Sequence, residues 1–167
     1  MSDFVLKGNI CYSLSPTELV TKQGAYVVCK DGKSCGVFDE LPDEYKDLPV
    51  TDYGDRLIIP GLVDLHIHAS QYSYRGLGMD LELLDWLEKY AFPEEAKYAS
   101  EEYARKAYSI FAAQMKKSAT TRACIFATRH RIGTEILMEL MEKTGLITYV
   151  GKVNMDREAP DIIREES

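Results

Sequence analysis

Residues 56–68 have the sequence RLIIPGLVDLHIH, which is apolar almost without interruption until it ends in two histidines. Such a run is typical of a strand that is buried on both faces, as strands of parallel sheets are. Side chains two residues apart in a strand lie on the same face, so the imidazoles of His66 and His68 should stand side by side. Active sites of parallel α/β folds lie at the carboxyl ends of strands, and this pair ends a predicted strand.

The two histidines are candidate metal ligands. Neutral imidazole nitrogen binds zinc and similar divalent ions at about 2.0–2.1 Å, and a catalytic zinc needs about three protein ligands with one position open to water. Two histidines therefore supply only part of a metal site. The pattern by itself leaves open a second interpretation, two incidental surface histidines, although the chain has only three histidines and two of them end this strand.

Helical and extended patterns alternate after this strand. The predicted elements are a helix over residues 81–90 interrupted at Phe92-Pro93, a helix capped by Ser100, a strand over 120–128, a helix capped by Thr134 and ended by Gly145, and a strand over 146–153. The order β-α-β-α-β predicts an α/β fold with a parallel sheet and right-handed crossovers. It fits half of a doubly wound sheet or the start of a (β/α)8 barrel. Because a barrel needs about 250 residues, residues 56–167 would hold only its first three β/α units.

The first 55 residues are predicted to form a small β-rich domain. Three β-prone runs occupy residues 4–14, 25–30 and 33–38, and the last two flank Asp31-Gly32. Asp-Gly between two such runs indicates a hairpin with a type I′ turn. Residues 39–52 are rich in Asp, Glu and Pro and are predicted to be a surface connection.

Charge, hydropathy and cysteine spacing argue against several classes of protein. The net charge of -7 argues against non-specific binding to nucleic acid or anionic lipid. No apolar run approaches the length of about 20 residues needed to span a membrane, and we expect no secretion signal at the start of the chain. None of the four cysteines lies in a C-x-x-C pair. We therefore expect buried, reduced thiols in a cytoplasmic protein.

Several strings together carry a family resemblance. PGLVDLHIH at residues 60–68 resembles the first-strand signature of the amidohydrolase superfamily. The further strings are ASQYSY at 69–74, LLDWL at 83–87, YAFP at 90–93, TTRAC at 120–124, FAT at 126–128 and VGKVNMD at 150–156. Together they resemble the guanine deaminases of that superfamily. The resemblance covers nearly all of this chain but only about the first third of such an enzyme.

The resemblance implies a fold, a reaction and a set of residues. The fold is a metal-dependent (β/α)8 barrel, incomplete in this chain and preceded by a small β-rich domain. The reaction is hydrolytic deamination of guanine to xanthine and ammonia, with zinc or iron as the metal. His66 and His68 match the first two metal ligands, and Gln71 matches a residue that hydrogen-bonds the purine. Trp86 would lie near the pocket wall, where it stacks on a purine or packs a helix against the barrel.

The remaining functional groups are expected after Ser167. The family takes further histidines, a proton-shuttling Glu and a metal-binding Asp from later strands, so no catalytic residue is assigned here. We therefore expect the 167-residue chain alone to be inactive and the full-length enzyme to be a homodimer. Asp64 would orient a histidine or pack within the barrel, and His130 is expected to be a loop residue and not a ligand.

Two other functions stay open. The first is an amidohydrolase that acts on a different aminated or halogenated heterocycle, and the second is a non-catalytic truncated remnant. The H-x-E and P-C-x-x-C signature of cytidine-deaminase-like enzymes is missing from the sequence, which excludes that route to the same reaction.

Overall fold

The computed structural model describes residues 3–157 and 159–165. Its contacts divide the chain into two compact units, Met1–Pro60 and Gly61–Ser167. In the part of the chain that is described, no helix is long and apolar enough to cross a membrane.

The first unit is a four-stranded sheet. Its strands are β1 (Phe4–Ser15), β2 (Glu18–Lys30), β3 (Lys33–Phe38) and β4 (Val50–Ile58), in the order β3-β2-β1-β4. The first three strands are antiparallel neighbours, whereas β4 runs parallel to β1. Asp31 and Gly32 have φ angles of 52° and 71°, which confirms the predicted type I′ turn.

The strand predicted over residues 56–68 is two strands in two different sheets. β4 ends at Ile58, and β5 (Leu62–His68) begins a second sheet after Ile59-Pro60-Gly61. Proline cannot donate a ladder hydrogen bond, so it marks the break. The prediction of one strand was therefore wrong. The surface connection predicted up to residue 52 ends earlier, because β4 already begins at Val50.

The second unit alternates strands and helices, as predicted. After β5 come a 3-10 turn (Ala69–Tyr74), α1 (Leu83–Trp86), a π-helical turn (Leu87–Ala91), α2 (Phe92–Lys97), α3 (Glu101–Met115), β6 (Thr120–Phe126), α4 (Arg131–Glu142) and β7 (Ile147–Gly151). The sheet has the order β5-β6-β7 and is parallel throughout. This arrangement confirms the predicted α/β class and parallel sheet.

Helices α3 and α4 form the core with the inner strand β6. Tyr108, Phe111, Leu137 and Met141 are fully buried there, together with Ala123 and Ile125 of the strand. The prediction that β5 is buried on both faces was wrong. Leu65 is 73% exposed, and no strand among the described residues pairs with the outer side of β5.

The helix ends partly match the sequence expectations. Ser100 caps α3, since its Oγ accepts a hydrogen bond from the Tyr103 N–H at 3.3 Å. Gly145 has a φ of 77° and follows the end of α4, as predicted. Thr134 was predicted wrongly as the cap of α4. It lies inside the helix, and its hydroxyl is within 3.1 Å of the Thr128 and His130 carbonyls.

The first helical segment also differs from its prediction. Pro93 does not end it; the segment continues from Leu83 through the π-helical turn to Lys97. Proline is tolerated there because it directly follows the π-helical turn. The Phe92 N–H bonds to the Leu87 carbonyl five residues back, so the regular ladder of hydrogen bonds is already interrupted at this point. Leu83 and Leu84, at the start of this segment, are 68% and 72% exposed.

Candidate metal and substrate site

The two histidines at the end of β5 converge on one point. Their Nε2 atoms lie 3.1 Å apart and their ring centroids 4.9 Å apart, which confirms the prediction that both rings lie on one face. Two imidazoles on one tetrahedral zinc, each at about 2.0–2.1 Å, would have nitrogens about 3.3 Å apart. The geometry therefore fits a shared ion held between His66 and His68.

The pair supplies two ligands and no more. Among residues 3–157 and 159–165 there is no group of three or more His, Cys, Asp or Glu side chains that could hold a metal ion. A tetrahedral ion bound by His66 and His68 would thus have two coordination positions left for other groups.

Burial keeps His68 in the form that binds metal. The pKa of His68 is lowered from its ordinary value, first by burial and then by the neighbouring His66, while the carboxylate of Glu95 acts in the opposite direction. A lowered pKa favours the neutral imidazole near pH 7, and only the neutral ring has a lone pair to donate.

Phe126 lies against both imidazoles. Its ring stacks on His68 with centroids 4.8 Å apart and an interplanar angle of 18°, and it is also 4.8 Å from the ring of His66. Phe126 ends β6 and pairs with His68 in the sheet register. It restricts both rings from one side. Phe126 was not predicted as a site residue from the sequence. It could have been, because the ends of neighbouring parallel strands lie side by side.

Asp64 supports the strand backbone. Its Oδ1 accepts a hydrogen bond from the His66 N–H at 3.0 Å. The carboxylate thus fixes the backbone N–H of His66. It accepts this hydrogen bond from the backbone and not from an imidazole.

A cavity of about 150 Å³ adjoins His68. His68 and Gln71 both line it, so the structure brings together two of the residues that the sequence singled out. The other lining residues are Ser70, Tyr74, Leu87, Ala91, Phe92, Glu95, Val153 and Met155. The walls therefore come from the turn after β5, from the helical segment of residues 83–97 and from the segment after β7.

Trp86 lies behind the cavity wall. Its Nε1 donates to the Leu77 carbonyl at 3.0 Å, and its ring lies 5.5 Å from the ring of Tyr74. Tyr74 lines the cavity, whereas Trp86 does not. Trp86 can therefore act on the site by fixing Tyr74.

His130 lies in the loop between β6 and α4, as expected. Its Nε2 is buried and has no hydrogen-bond partner among the described residues. Burial lowers the pKa of His130, and the charge of Arg129 lowers it further. The ring does not join the convergence of His66 and His68.

Glu95 is a buried carboxylate in the cavity wall that was not predicted from the sequence. The sequence held no signal for it. A pair of consecutive Glu residues in a short helix usually lies on a solvated face, and only the contacts of the folded chain show otherwise.

Comparisons with known proteins identify the family of the chain. Residues 57–167 match the Amidohydrolase family. Guanine deaminase from Dictyostelium discoideum is 44% identical over 112 residues, which are 67% of this chain and 25% of that protein. Guanine deaminase from Escherichia coli is 39% identical over 124 residues, which are 74% of this chain and 27% of that protein. The chain thus spans about a quarter of the length of these relatives.

Solved structures show the same similarity. Guanine deaminase from C. acetobutylicum with bound guanine superposes with a TM-score of 0.92 and 43% identity, over 98% of this chain and 39% of that one. The E. coli enzyme gives a TM-score of 0.82 and 29% identity, over 99% and 40%. A triazine hydrolase variant shares the fold, with a TM-score of 0.80 at 14% identity over 99% and 40%.

Proposed function

Because the chain belongs to the amidohydrolase family, we propose that it supplies the first part of an active site that hydrolyses guanine to xanthine and ammonia. The observation that carries the proposal is the convergence of the His66 and His68 Nε2 atoms, 3.1 Å apart, beside a cavity that also holds Gln71. The relatives of 39–44% identity named above are guanine deaminases, which supports guanine as the substrate.

In this proposal the histidine pair holds a divalent ion. Bound there, zinc would supply Lewis acidity, which makes water a nucleophile at neutral pH. His66 and His68 contribute two neutral nitrogen ligands. Phe126 and the hydrogen bond that Asp64 accepts from the His66 N–H keep them in place. We propose zinc as the metal and iron as the alternative, because imidazole suits both.

Gln71 has the chemistry to select a purine. Its carboxamide both donates and accepts hydrogen bonds, so it can pair with an edge that presents an N–H beside a carbonyl, as guanine does. It is half-buried in the turn after β5 and shares the cavity with His68. We assign Gln71 to substrate orientation. Trp86 contributes to substrate binding through the ring of Tyr74, against which it packs.

The wider biological setting is part of the same proposal. We propose a role in purine catabolism, a homodimer in the full-length enzyme and a cytoplasmic location. All four cysteines are free, which fits a reducing compartment. We also propose that the small β-rich domain, expected over residues 1–55, extends to Pro60, where the contacts divide the chain, and that the residues after it start a (β/α)8 barrel that later strands close.

The test uses the protein made from the complete reading frame, supplied with zinc. Loss of guanine absorbance together with release of ammonia is the expected result. We expect His66→Ala and His68→Ala to abolish turnover and to lower the bound zinc measured by mass spectrometry. His130→Gln is the matched control and should keep both, because His130 does not converge with the pair.

Different results would contradict different parts of the proposal. Full zinc content and turnover in His66→Ala would exclude the histidine pair as ligands. Turnover of triazines or cytosine without turnover of guanine would replace the substrate. The 167-residue chain alone should not turn over guanine, because its described residues hold only two converging ligands.

A further inference from the structure

Helix α2 carries two consecutive buried carboxylates. Glu94 and Glu95 are 7% and 6% exposed. Burying a carboxylate is costly unless hydrogen bonds compensate it, so such groups are rarely without partners. Glu94 accepts a hydrogen bond from Ser73, in the turn after β5, at 2.6 Å. Glu95 reaches a different segment, the loop after β6.

One oxygen of Glu95 accepts two hydrogen bonds from that loop. Its Oε1 accepts from the Thr128 hydroxyl and from the Arg129 N–H, the latter at 2.9 Å. Thr128 is fully buried. The loop after β6 is thus joined to α2 through a single carboxylate oxygen.

Thr128 is in turn hydrogen-bonded to a residue of the cavity wall. Its carbonyl accepts a hydrogen bond from the Val153 N–H at 3.2 Å, and its hydroxyl accepts from the His130 N–H at 3.3 Å. Val153 lines the same cavity as His68 and Glu95. A continuous chain of hydrogen bonds therefore joins α2, the loop after β6 and the segment after β7, and the first and last of these line the cavity through Glu95 and Val153.

We propose that Glu95 is a positioning residue for the guanine pocket. It holds Thr128, and through Thr128 it holds Val153, at the distance from His68 that the purine requires. It acts by accepting hydrogen bonds with Oε1 and neither transfers a proton nor binds the metal. This inference rests on the proposed function, because a pocket for guanine is what Glu95 would shape.

Three substitutions test whether Glu95 acts by accepting hydrogen bonds or through its charge. Glu95→Gln keeps a carbonyl oxygen that can accept both hydrogen bonds but removes the charge. Glu95→Ala removes the acceptor. Thr128→Val removes the donor hydroxyl at nearly constant volume, and it keeps the proposal testable should Glu95→Ala fail to fold. Glu102→Ala, an exposed carboxylate at the start of α3, is the matched control.

The kinetic readout is the split between KM and kcat in the zinc-loaded protein of the complete reading frame. Glu95→Ala and Thr128→Val should raise the KM for guanine about tenfold to a hundredfold, since a buried hydrogen-bonded pair loses one partner. The kcat should change less than about threefold, because metal and nucleophile are untouched. Glu95→Gln and Glu102→Ala should resemble the wild type, with zinc content unchanged in all four.

Amide hydrogen exchange of the same proteins tests the positioning role of Glu95 separately from the proposed hydrolysis of guanine. The Arg129 and Val153 amides should exchange faster in Glu95→Ala and Thr128→Val than in the wild type or Glu95→Gln. If the wild type does not hydrolyse guanine, the proposed function fails, whereas exchange still tests the connection. If exchange rises but KM does not, or if Glu95→Gln behaves like Glu95→Ala, the positioning role is overturned.

Discussion

At the scale of single residues, Thr128 depends on a glycine in the neighbouring helix. A methyl group on Gly133 would lie 2.7 Å from Thr128 Cγ2 and 3.3 Å from the Tyr98 carbonyl oxygen. Alanine normally stabilises a helix by about 1 kcal/mol relative to glycine. We expect Gly133→Ala instead to lower the free energy of unfolding by about 1–3 kcal/mol, because the added methyl overpacks a closed site.

A double-mutant cycle identifies the cause of that loss. Thr128→Ser removes Cγ2 but keeps the hydroxyl that donates to Glu95. In this background Gly133→Ala should cost much less free energy, as measured by urea unfolding. An equal cost in both backgrounds would show that Tyr98, and not Thr128, makes glycine necessary at this position.

The buried carboxylate of Glu94 should make the free energy of unfolding depend on pH in the acid range. Burial alone would raise its pKa, but hydrogen bonds from Lys97, Ser73 and Tyr103 together lower it below the ordinary value of 4.5. Burial and the bond to Glu94 raise the pKa of Tyr103 to about 12, so its hydroxyl stays a donor. A carboxyl whose pKa is lower in the folded state stabilises the protein above its unfolded pKa and loses that contribution as pH falls.

The measurement is the free energy of unfolding between pH 7 and pH 3. The wild type should lose stability as pH falls below about 4.5, whereas Glu94→Gln should begin less stable at pH 7 and lose less on acidification. Glu102→Gln makes the same charge change at an exposed site and should follow the wild type. If Glu94→Gln has the same pH slope as the wild type, the hydrogen bonds do not stabilise the ionised form.

At the scale of elements, α3 depends on Ser100, the residue that precedes it. The Ser100 hydroxyl satisfies one of the free N–H groups of the first turn. Ser100→Ala should therefore lower the free energy of unfolding by about 1 kcal/mol. Ser109→Ala makes the same change at an exposed position within α3 and should be neutral or slightly stabilising. Equal effects from the two substitutions would argue against capping.

The elements that were predictable have local causes. The period of α3, the cap at Ser100 and the Asp31-Gly32 turn all follow from residues close in sequence. The same-face placement of His66 and His68 follows from the two-residue period of a strand. These features depend on backbone geometry that a few neighbouring residues determine.

The features that were missed depend on contacts between distant segments. Apolar residues on both sides of Ile59-Pro60-Gly61 look alike, and only strand pairing assigns β4 to one sheet and β5 to another. Glu95 becomes a site residue only because the end of β6 meets it, and Phe126 because its strand pairs with β5. No local pattern contains that information.

At the scale of the whole molecule, β5 is an edge strand of the second sheet, since no strand in the described part of the chain pairs with its outer side. Leu62, Val63 and Leu65 of β5 are 52%, 55% and 73% exposed. An apolar edge strand with free backbone groups favours pairing with another chain. In a closed barrel this edge would be paired, which agrees with the proposal that later strands complete the fold.

The last prediction concerns association of the 167-residue chain. We expect its sedimentation coefficient to rise with concentration, and we expect Leu65→Lys to reduce that rise, because a charged side chain on an edge strand opposes pairing. Added lysine moves the net charge of -7 towards zero, which would by itself promote association. Met138→Lys, on the exposed side of α4, makes the same charge change and controls for it. Equal association of the two variants would place the contact away from β5.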